Sequence, residues 1–431
     1  MDGAVVLLLA TFVLCLALGV PIAVSIGIST VVTMLVSIPP GPAVATAALR
    51  MATGIDSFAL LAIPFFILSG RLISEGGMAQ RLIDFAKALV GGFAGGLAYM
   101  NVLASMFFGT ISGSAVAATS AVGGFMIPSM EREGYEREYS VAVTMTGSVT
   151  GLLIPPSNVL IVYSLASGGV SIAALFVAGY VPGILLGLAL MLVGGLIAAH
   201  RKYPVAGRPP FREGVRALVR AIPSLLLLVI VMGGIIAGVF TATEASAVAV
   251  VYSLILAVPV YREVRVRDLP RILLKSAETT AIVMFLIATS TALSWILSYE
   301  HVPQDLAAFL LALTESRVLL LLFINVLLLA VGTVIDITPA VLIFTPILLP
   351  VAQQLGMTPL HFGIMMVLNL CIGLCTPPVG SILFVGCGIG RTTVPRTTRA
   401  LWPFYAAMVL VLLVVTYVPW LTEALPGLLG Y

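Results

Sequence analysis

The sequence predicts an all-α polytopic membrane protein built as an inverted-topology repeat, each half contributing five spans and one re-entrant hairpin. Three observations predict this. The 431 residues are 60% hydrophobic and only 9% charged, with a mean hydropathy of +1.18, so the chain lacks the polar surface that a water-soluble protein needs. Apolar stretches such as Ala4 to Val36, Gly169 to Ala199, Ile222 to Val260 and Leu401 to Trp420 reach the roughly 20 residues that cover about 30 Å of hydrocarbon. The same glycine and proline interruptions recur at one spacing in the two halves.

Taken in order, residues 4 to 20 and 21 to 37 read as the first two spans. The first has no basic leader and runs past Pro21 without a small-residue cleavage site, so a removable signal peptide is not expected. Residues 55 to 75 form the third span, and residues 78 to 90 a short amphipathic helix on the interface, an arm bracing a moving domain. Residues 97 to 130 are too long for one span, and two ordinary crossings would break the side count, so they read as a re-entrant hairpin. Spans 138 to 167 and 169 to 199 complete the first repeat, residues 1–200. A basic linker, 201–221, leads to the second repeat, 222–431. Its spans are 222 to 240, 243 to 260, 277 to 299, 361 to 389 and 398 to 420, with an amphipathic segment at 303 to 313 and a hairpin at about 318–350. Thr241 to Glu244 reads as an N-cap with an acid in the first turn.

Charge fixes the sides. Arg201, Lys202, Arg208, Arg212, Arg216 and Arg220 form one basic loop, and Arg262, Arg265, Arg267, Arg271 and Lys275 another, with two spans between them. Both loops must therefore share a face, which the positive-inside rule makes cytoplasmic. Both termini then lie outside, and of the 21 Lys and Arg residues only Arg50 and Arg317 fall there.

An offset of 222 aligns Ile127-Pro128 with Leu349-Pro350, Gly134 with Gly356, Gly151 with Gly373, and Pro155-Pro156 with Pro377-Pro378. Shifting by one residue pairs Gly109-Thr110 with Gly332-Thr333, and by one more pairs Gln80, Leu82 and Phe85 with Gln304, Leu306 and Phe309. The halves are therefore related, and an odd number of spans in each turns the second upside down. Secondary transporters use that symmetry to alternate between outward-facing and inward-facing states; the plainer reading is duplication in a structural membrane protein.

Non-helical backbone survives in a bilayer only where protein or a cavity shields it, so polar breaks mark candidate sites. Gly109 to Ser114 combines two flexible glycines with three hydroxyls, and Gly332 to Pro339 carries the one carboxylate set well inside an apolar hairpin, Asp336. The partner breaks, Gly147 to Asn158 and Asn369 to Ser381, are expected to split two spans into half-helices, with the double prolines in the first turn of the second half; a simple proline kink is the alternative. A hard cation such as sodium needs several oxygen ligands, which carbonyls and hydroxyls at these breaks supply. Ser112, Gly113, Ser114, Gly147, Thr150, Gly332, Thr333, Asp336, Gly373 and Thr376 are the expected sodium-binding residues. For Asp336 the competing role is a helix cap. Pro155, Pro156, Ser157, Asn158, Pro377 and Pro378 are the expected substrate-binding residues. None of the four segments holds a Lys or Arg, so an anionic substrate would rely on half-helix N-termini, hydroxyls, amides and bound cations.

Other chemistry is poorly served. Cys15, Cys371, Cys375 and Cys387 lie in apolar segments and suggest neither a disulfide framework nor a metal site, and His200, His301 and His361 have no acid partner for a proton relay. No P-loop, metal-ligand cluster or nucleophile elbow occurs. No catalytic residues, cofactor or nucleic-acid partner are expected.

Phe107 to Ser114, Pro128, Gly134-Tyr135, Gly151 to Ser157, Gly332-Thr333 and Pro377-Pro378 together resemble the large membrane subunit of tripartite ATP-independent periplasmic (TRAP) transporters, over essentially the whole chain. Thr241 to Ser246 resembles that family's Thr-Pro-Thr-Glu-Ala-Ala signature, with Ala242 in place of proline and Ser246 in place of alanine. The resemblance implies an elevator mechanism, in which a transport domain carrying both hairpins and both broken helices slides against a scaffold. It implies a bacterial or archaeal inner-membrane location. It also implies two partners, a small four-helix membrane subunit and a periplasmic substrate-binding protein. Sodium would be the coupling ion and organic acids such as C4-dicarboxylates or sialic acids the cargo. The nearest alternative is a self-sufficient sodium-coupled dicarboxylate or citrate carrier, which shares hairpins and inverted repeats.

Overall fold

The computed structural model describes residues 3–90, 95–204, 211–314 and 316–431, and all regular structure among them is helical. The chain opens with α1 (Gly3–Ala17), α2 (Ile22–Ser37), α3 (Pro40–Gly54) and α4 (Ala62–Glu75), the last preceded by a 3-10 turn at Phe58–Leu61. Then come the short α5 (Met78–Val90), the pair α6 (Gly96–Ser112) and α7 (Ala115–Arg132), the pair α8 (Arg137–Thr150) and α9 (Asn158–Ala166), and the long α10 (Ile172–His200). After α11 (Phe211–Ile236) and α12 (Ala242–Ile255), the same order returns. It runs through α13 (Leu269–Tyr299), the short α14 (Val302–Leu313), the pairs α15 (Arg317–Gly332) and α16 (Ile337–Gln354), α17 (Pro359–Leu374) and α18 (Ser381–Ile389), then α19 (Val394–Tyr417) and α20 (Trp420–Leu428).

Seven helices among the described residues are long and apolar enough to cross a bilayer unaided. The expected spans at 4 to 20 and 21 to 37 appear as apolar helices of 15 and 16 residues, because the turn around Gly19, at φ +76°, takes up their junction. α3 and α20 occupy segments that the sequence left unassigned. The stretch read as a linker is partly helical, since α11 begins at Phe211; Arg208 falls outside the described residues.

Each expected hairpin turns where its polar residues lie. α6 ends at Gly113, whose φ of 62° suits glycine and whose N–H returns to the Gly109 carbonyl. Ser114 then caps α7 by accepting from the Ala117 N–H. α7 closes with Gly134 at φ +84° and a Tyr135 N–H bond to Met130 O, and α16 closes with Gly356 at φ +77° and a Met357 N–H bond to Ala352 O. The two spans expected to split do split. The double prolines lie outside the first turn, however: Ser157 and Gly380 are the N-caps of α9 and α18. The residue before a proline is held out of the helical region, so the backbone regains helix only after both prolines have passed.

The helices pack in two groups. α4 packs on α12, α13 on α2 and α3, and α11 on α5 and α12. In the second group α6 and α7 pack on α8, α15 and α16 on α17, and α10 on α19 and α20, while α16 reaches α9 and α18 reaches α7. The groups meet where α5 lies along α6, where α4 touches α6 and α9, and where α13 touches α16. Facing outward, Ile184, Leu188, Leu192 and Leu196 form an exposed i, i+4 stripe on α10 of the kind that suits an apolar surrounding such as bilayer hydrocarbon. Inside, several polar side chains are hydrogen-bonded: the Asn101 amide donates to Thr144, and the Asn369 amide nitrogen donates to both the backbone and side-chain oxygens of Asn325 at 2.9 Å.

Candidate functional site

Close backbone approach holds the hairpins against the split helices. A Cβ added to Gly109 would lie 2.9 Å from Cα of Gly151, and one added to Gly332 would lie 3.1 Å from Cα of Gly373. Each crossing thus brings a hairpin's first arm onto the helix that breaks just beyond it. Gly147 packs equally closely on Ser105 and Val102.

Between the two helix groups lies a cavity of about 610 Å³, within the usual range for a small-molecule site. One wall comes from both hairpin tips and the first break, with Ser112, Gly113, Ser114, Asn158, Asp336 and Thr338 as its polar residues. The opposite wall comes from the start of α2, the second half of α4 and the first half of α13, including Gly70, Arg71, Glu75, Thr279 and Ile282. A Cβ at Gly70 would stand 2.8 Å from the Ser112 carbonyl oxygen, so the first hairpin tip rests directly on α4.

Of the residues expected to bind sodium or substrate, the cavity gathers Ser112, Gly113, Ser114, Asn158 and Asp336. Asp336 occupies the N-cap position of α16 without capping it, and its carboxylate accepts instead from the Ser381 hydroxyl at 3.4 Å. Asn158 sits over the Gly113 turn, and its side-chain carbonyl oxygen is buried with no hydrogen-bond partner among the described residues. Such an oxygen, unpaired and enclosed, is costly unless something binds it. Ser112 donates toward the Ser114 carbonyl at 3.3 Å and accepts from the Ser114 N–H at 3.4 Å, which leaves one lone pair of its hydroxyl oxygen for a further partner.

The remaining expected residues do not line this cavity. Pro155, Pro156 and Ser157 are buried, with the neighbouring Leu153 and Ile154 lying against Gly179 and Gly183 of α10. Thr150 donates to Gly147 O at 2.6 Å, and Thr376 donates to Ile372 O at 2.8 Å. Thr333 stitches the second hairpin to the second break, its carbonyl accepting from the N–H groups of Val379 and Gly380 at 3.2 and 3.0 Å. Pro377 is half-buried and Pro378 exposed. The two breaks, alike in sequence, are thus unequal in packing.

A family model described as Tripartite ATP-independent periplasmic transporter, DctM component, matches residues 9–421. The chain belongs to this family. Its relatives include a Salmonella typhimurium protein, the uncharacterized YgiK, 51% identical over 98% of this chain and 97% of its own length. Another is the C4-dicarboxylate TRAP transporter large permease protein DctM of Pseudomonas aeruginosa, 42% identical over 94% of each chain. In fold, the chain is similar to the solved structure of Neisseria gonorrhoeae MtrF, described as illuminating a class of antimetabolite efflux pumps, with a TM-score of 0.57 at 12% identity over 87% of this chain and 85% of that one. Membership makes the chain a multi-pass membrane transport component.

Sequence reasoning missed the α4 and α13 wall, and Arg71 above all. The only local signal was a charge interrupting the third predicted span one turn before Glu75.

Proposed function

We propose that this chain is the permease subunit that carries an organic acid inward together with sodium, on delivery by a periplasmic binding protein and alongside a small membrane subunit. The observation that carries this reading is the cavity between the two helix groups, lined on one side by both hairpin tips. Family membership supports the tripartite assembly, and the named activity of the Pseudomonas relative supports C4-dicarboxylates as the first substrates to try.

Sodium ligation fits the oxygens on the hairpin wall: the Asn158 carbonyl oxygen, the Ser112 and Ser114 hydroxyls and the Asp336 carboxylate. A cation held there would offset the negative charge of Asp336 and favour a substrate carboxylate nearby. The recurrence of helix order, of the glycine crossings and of the Gly134 and Gly356 helix ends supports an inverted repeat. An elevator movement of the hairpin group along α4 and α13 accords with a cavity bounded by both groups. The cavity is lined by Pro21 and Glu75, which the positive-inside threading puts at the cytoplasmic ends of α2 and α4, and this supports reading the conformation as inward-facing.

The test is uptake of succinate into proteoliposomes holding this chain and its small membrane partner, with an imposed sodium gradient, with and without the binding protein. Uptake that needs sodium and the binding protein bears the reading out. Sodium-driven uptake without the binding protein moves the chain to the self-sufficient carriers, and gradient-independent uptake removes sodium coupling.

A further inference from the structure

The cavity contains a positive charge that neither the hairpins nor the split helices provide. Arg71 projects from α4 into the wall facing the hairpin tips and is half-buried. Its Nη2 donates to the Thr279 hydroxyl of α13 at 2.9 Å, and that hydroxyl in turn donates to the Lys275 carbonyl at 3.0 Å. One edge of the guanidinium is thereby fixed across two helices while its other N–H groups stay unassigned.

No acid among the described residues forms an ion pair with it. The acid one turn along its own helix, Glu75, is held by Arg271 at 2.7 Å. Asp336, the acid on the opposite wall, accepts from the Ser381 hydroxyl and forms no ion pair with Arg71. A half-buried guanidinium with an oriented fork and no counter-charge is complementary to a carboxylate, which it can grip through two parallel N–H bonds.

We propose that Arg71 binds a carboxylate of the transported acid, and that it does so only in the conformation in which the hairpin tips stand opposite α4. This rests on the transporter reading above. Arg71 belongs to the α2, α4 and α13 wall, whereas Ser112, Asn158 and Asp336 belong to the hairpin wall. If the hairpin group moves away from Gly70, the substrate travels with the hairpins and leaves Arg71 behind. Arg71 therefore contributes to affinity on the cytoplasmic side and not on the side where the binding protein docks.

The experiment compares wild type, Arg71→Gln, Arg71→Lys and Thr279→Val in the reconstituted tripartite system. Succinate and N-acetylneuraminate are the probes, and half-saturation is measured separately for each side by exchange. For whichever probe the wild type carries, Arg71→Gln is expected to raise the cytoplasmic half-saturation concentration about tenfold or more, the effect of losing a charge-assisted pair, with the outer value unchanged. Arg71→Lys, which keeps charge without the fork, should fall between. Thr279→Val should give a smaller rise on the cytoplasmic side alone, and with Arg71→Lys it decides the matter if Arg71→Gln does not fold. Equal shifts on both sides, or wild-type values in Arg71→Lys and Thr279→Val together, overturn the inference while leaving the transporter reading intact. Transport of neither probe by the wild type overturns the transporter reading, and this inference with it.

Discussion

Gly332 of α15 lies directly on Gly373 of α17, so close that a Cβ on the first would be 3.1 Å from the second's Cα. Gly373→Ala should therefore force the hairpin off the split helix and destabilise the protein by about 1–3 kcal/mol, the usual effect of overpacking. Thermal unfolding of the purified protein in detergent checks this, with Gly124→Ala, where a Cβ meets nothing within 4 Å, as the near-neutral control.

Asp336→Asn should lower sodium-dependent uptake about tenfold or more, because it removes the charge of a carboxylate that does not cap its own helix. Expression and thermal stability should change little. Uptake near wild type would remove Asp336 from the ion site.

Asn158→Ala deletes a buried oxygen with no partner among the described residues. A group left unpaired costs stability, so the variant should be no less stable than wild type. If that oxygen binds the coupling ion, the sodium concentration for half-maximal uptake should rise at the same time. Greater stability with unchanged sodium dependence would leave Asn158 without a role in transport.

Ser112→Ala combined with Ser114→Ala should weaken apparent sodium affinity, read from the sodium dependence of uptake. Ser114 also caps α7, so a loss of up to about 1 kcal/mol in stability is expected alongside. An unchanged sodium dependence would assign the site to backbone carbonyls alone.

Thr241→Ala should cost about 1 kcal/mol. Thr241 and Glu244 form a reciprocal capping box at the start of α12, with the Thr241 N–H donating to the Glu244 carboxylate at 2.8 Å and the Glu244 N–H donating to the Thr241 hydroxyl at 3.2 Å. Unfolding temperature is the measurement, and transport by the folded fraction should be retained.

Much of this architecture was legible because a bilayer tolerates so few kinds of irregularity. Gly113, Asp336, Pro155-Pro156 and Pro377-Pro378 interrupt apolar runs, and each interruption became a hairpin tip or a helix break. α3 was not legible because its prolines, glycines, alanines and threonines with one arginine make it far less apolar than the equally long α1, and α20, of 9 residues, is too short to register as a span. Nor could sequence distinguish the two breaks. Whether Ser157 is buried or Pro378 exposed depends on what lies across them: α10 packs on Leu153 and Ile154 at the first break, while α19 reaches the second through Tyr405, which donates to Cys375 O. Arg71 was hidden for a similar reason. A cation one turn from a helix end is what the positive-inside pattern supplies everywhere, and only the packing of α4 beside α13 reveals that this one borders a cavity.

The seat of Ser112 on Gly70 bears on how this cavity could be re-tailored. Glycine inside a helix gives up roughly 0.5–1 kcal/mol relative to alanine, so a search for thermostable variants would favour replacing Gly70. Any such replacement puts atoms where the Ser112 carbonyl now rests, and the stabilised protein would lose the docked hairpin tip. New selectivity has to be sought instead at the apolar side chains of the same wall, Ile63, Ile67, Ile282 and Val283, where size can change without disturbing the contact on which the hairpin rests.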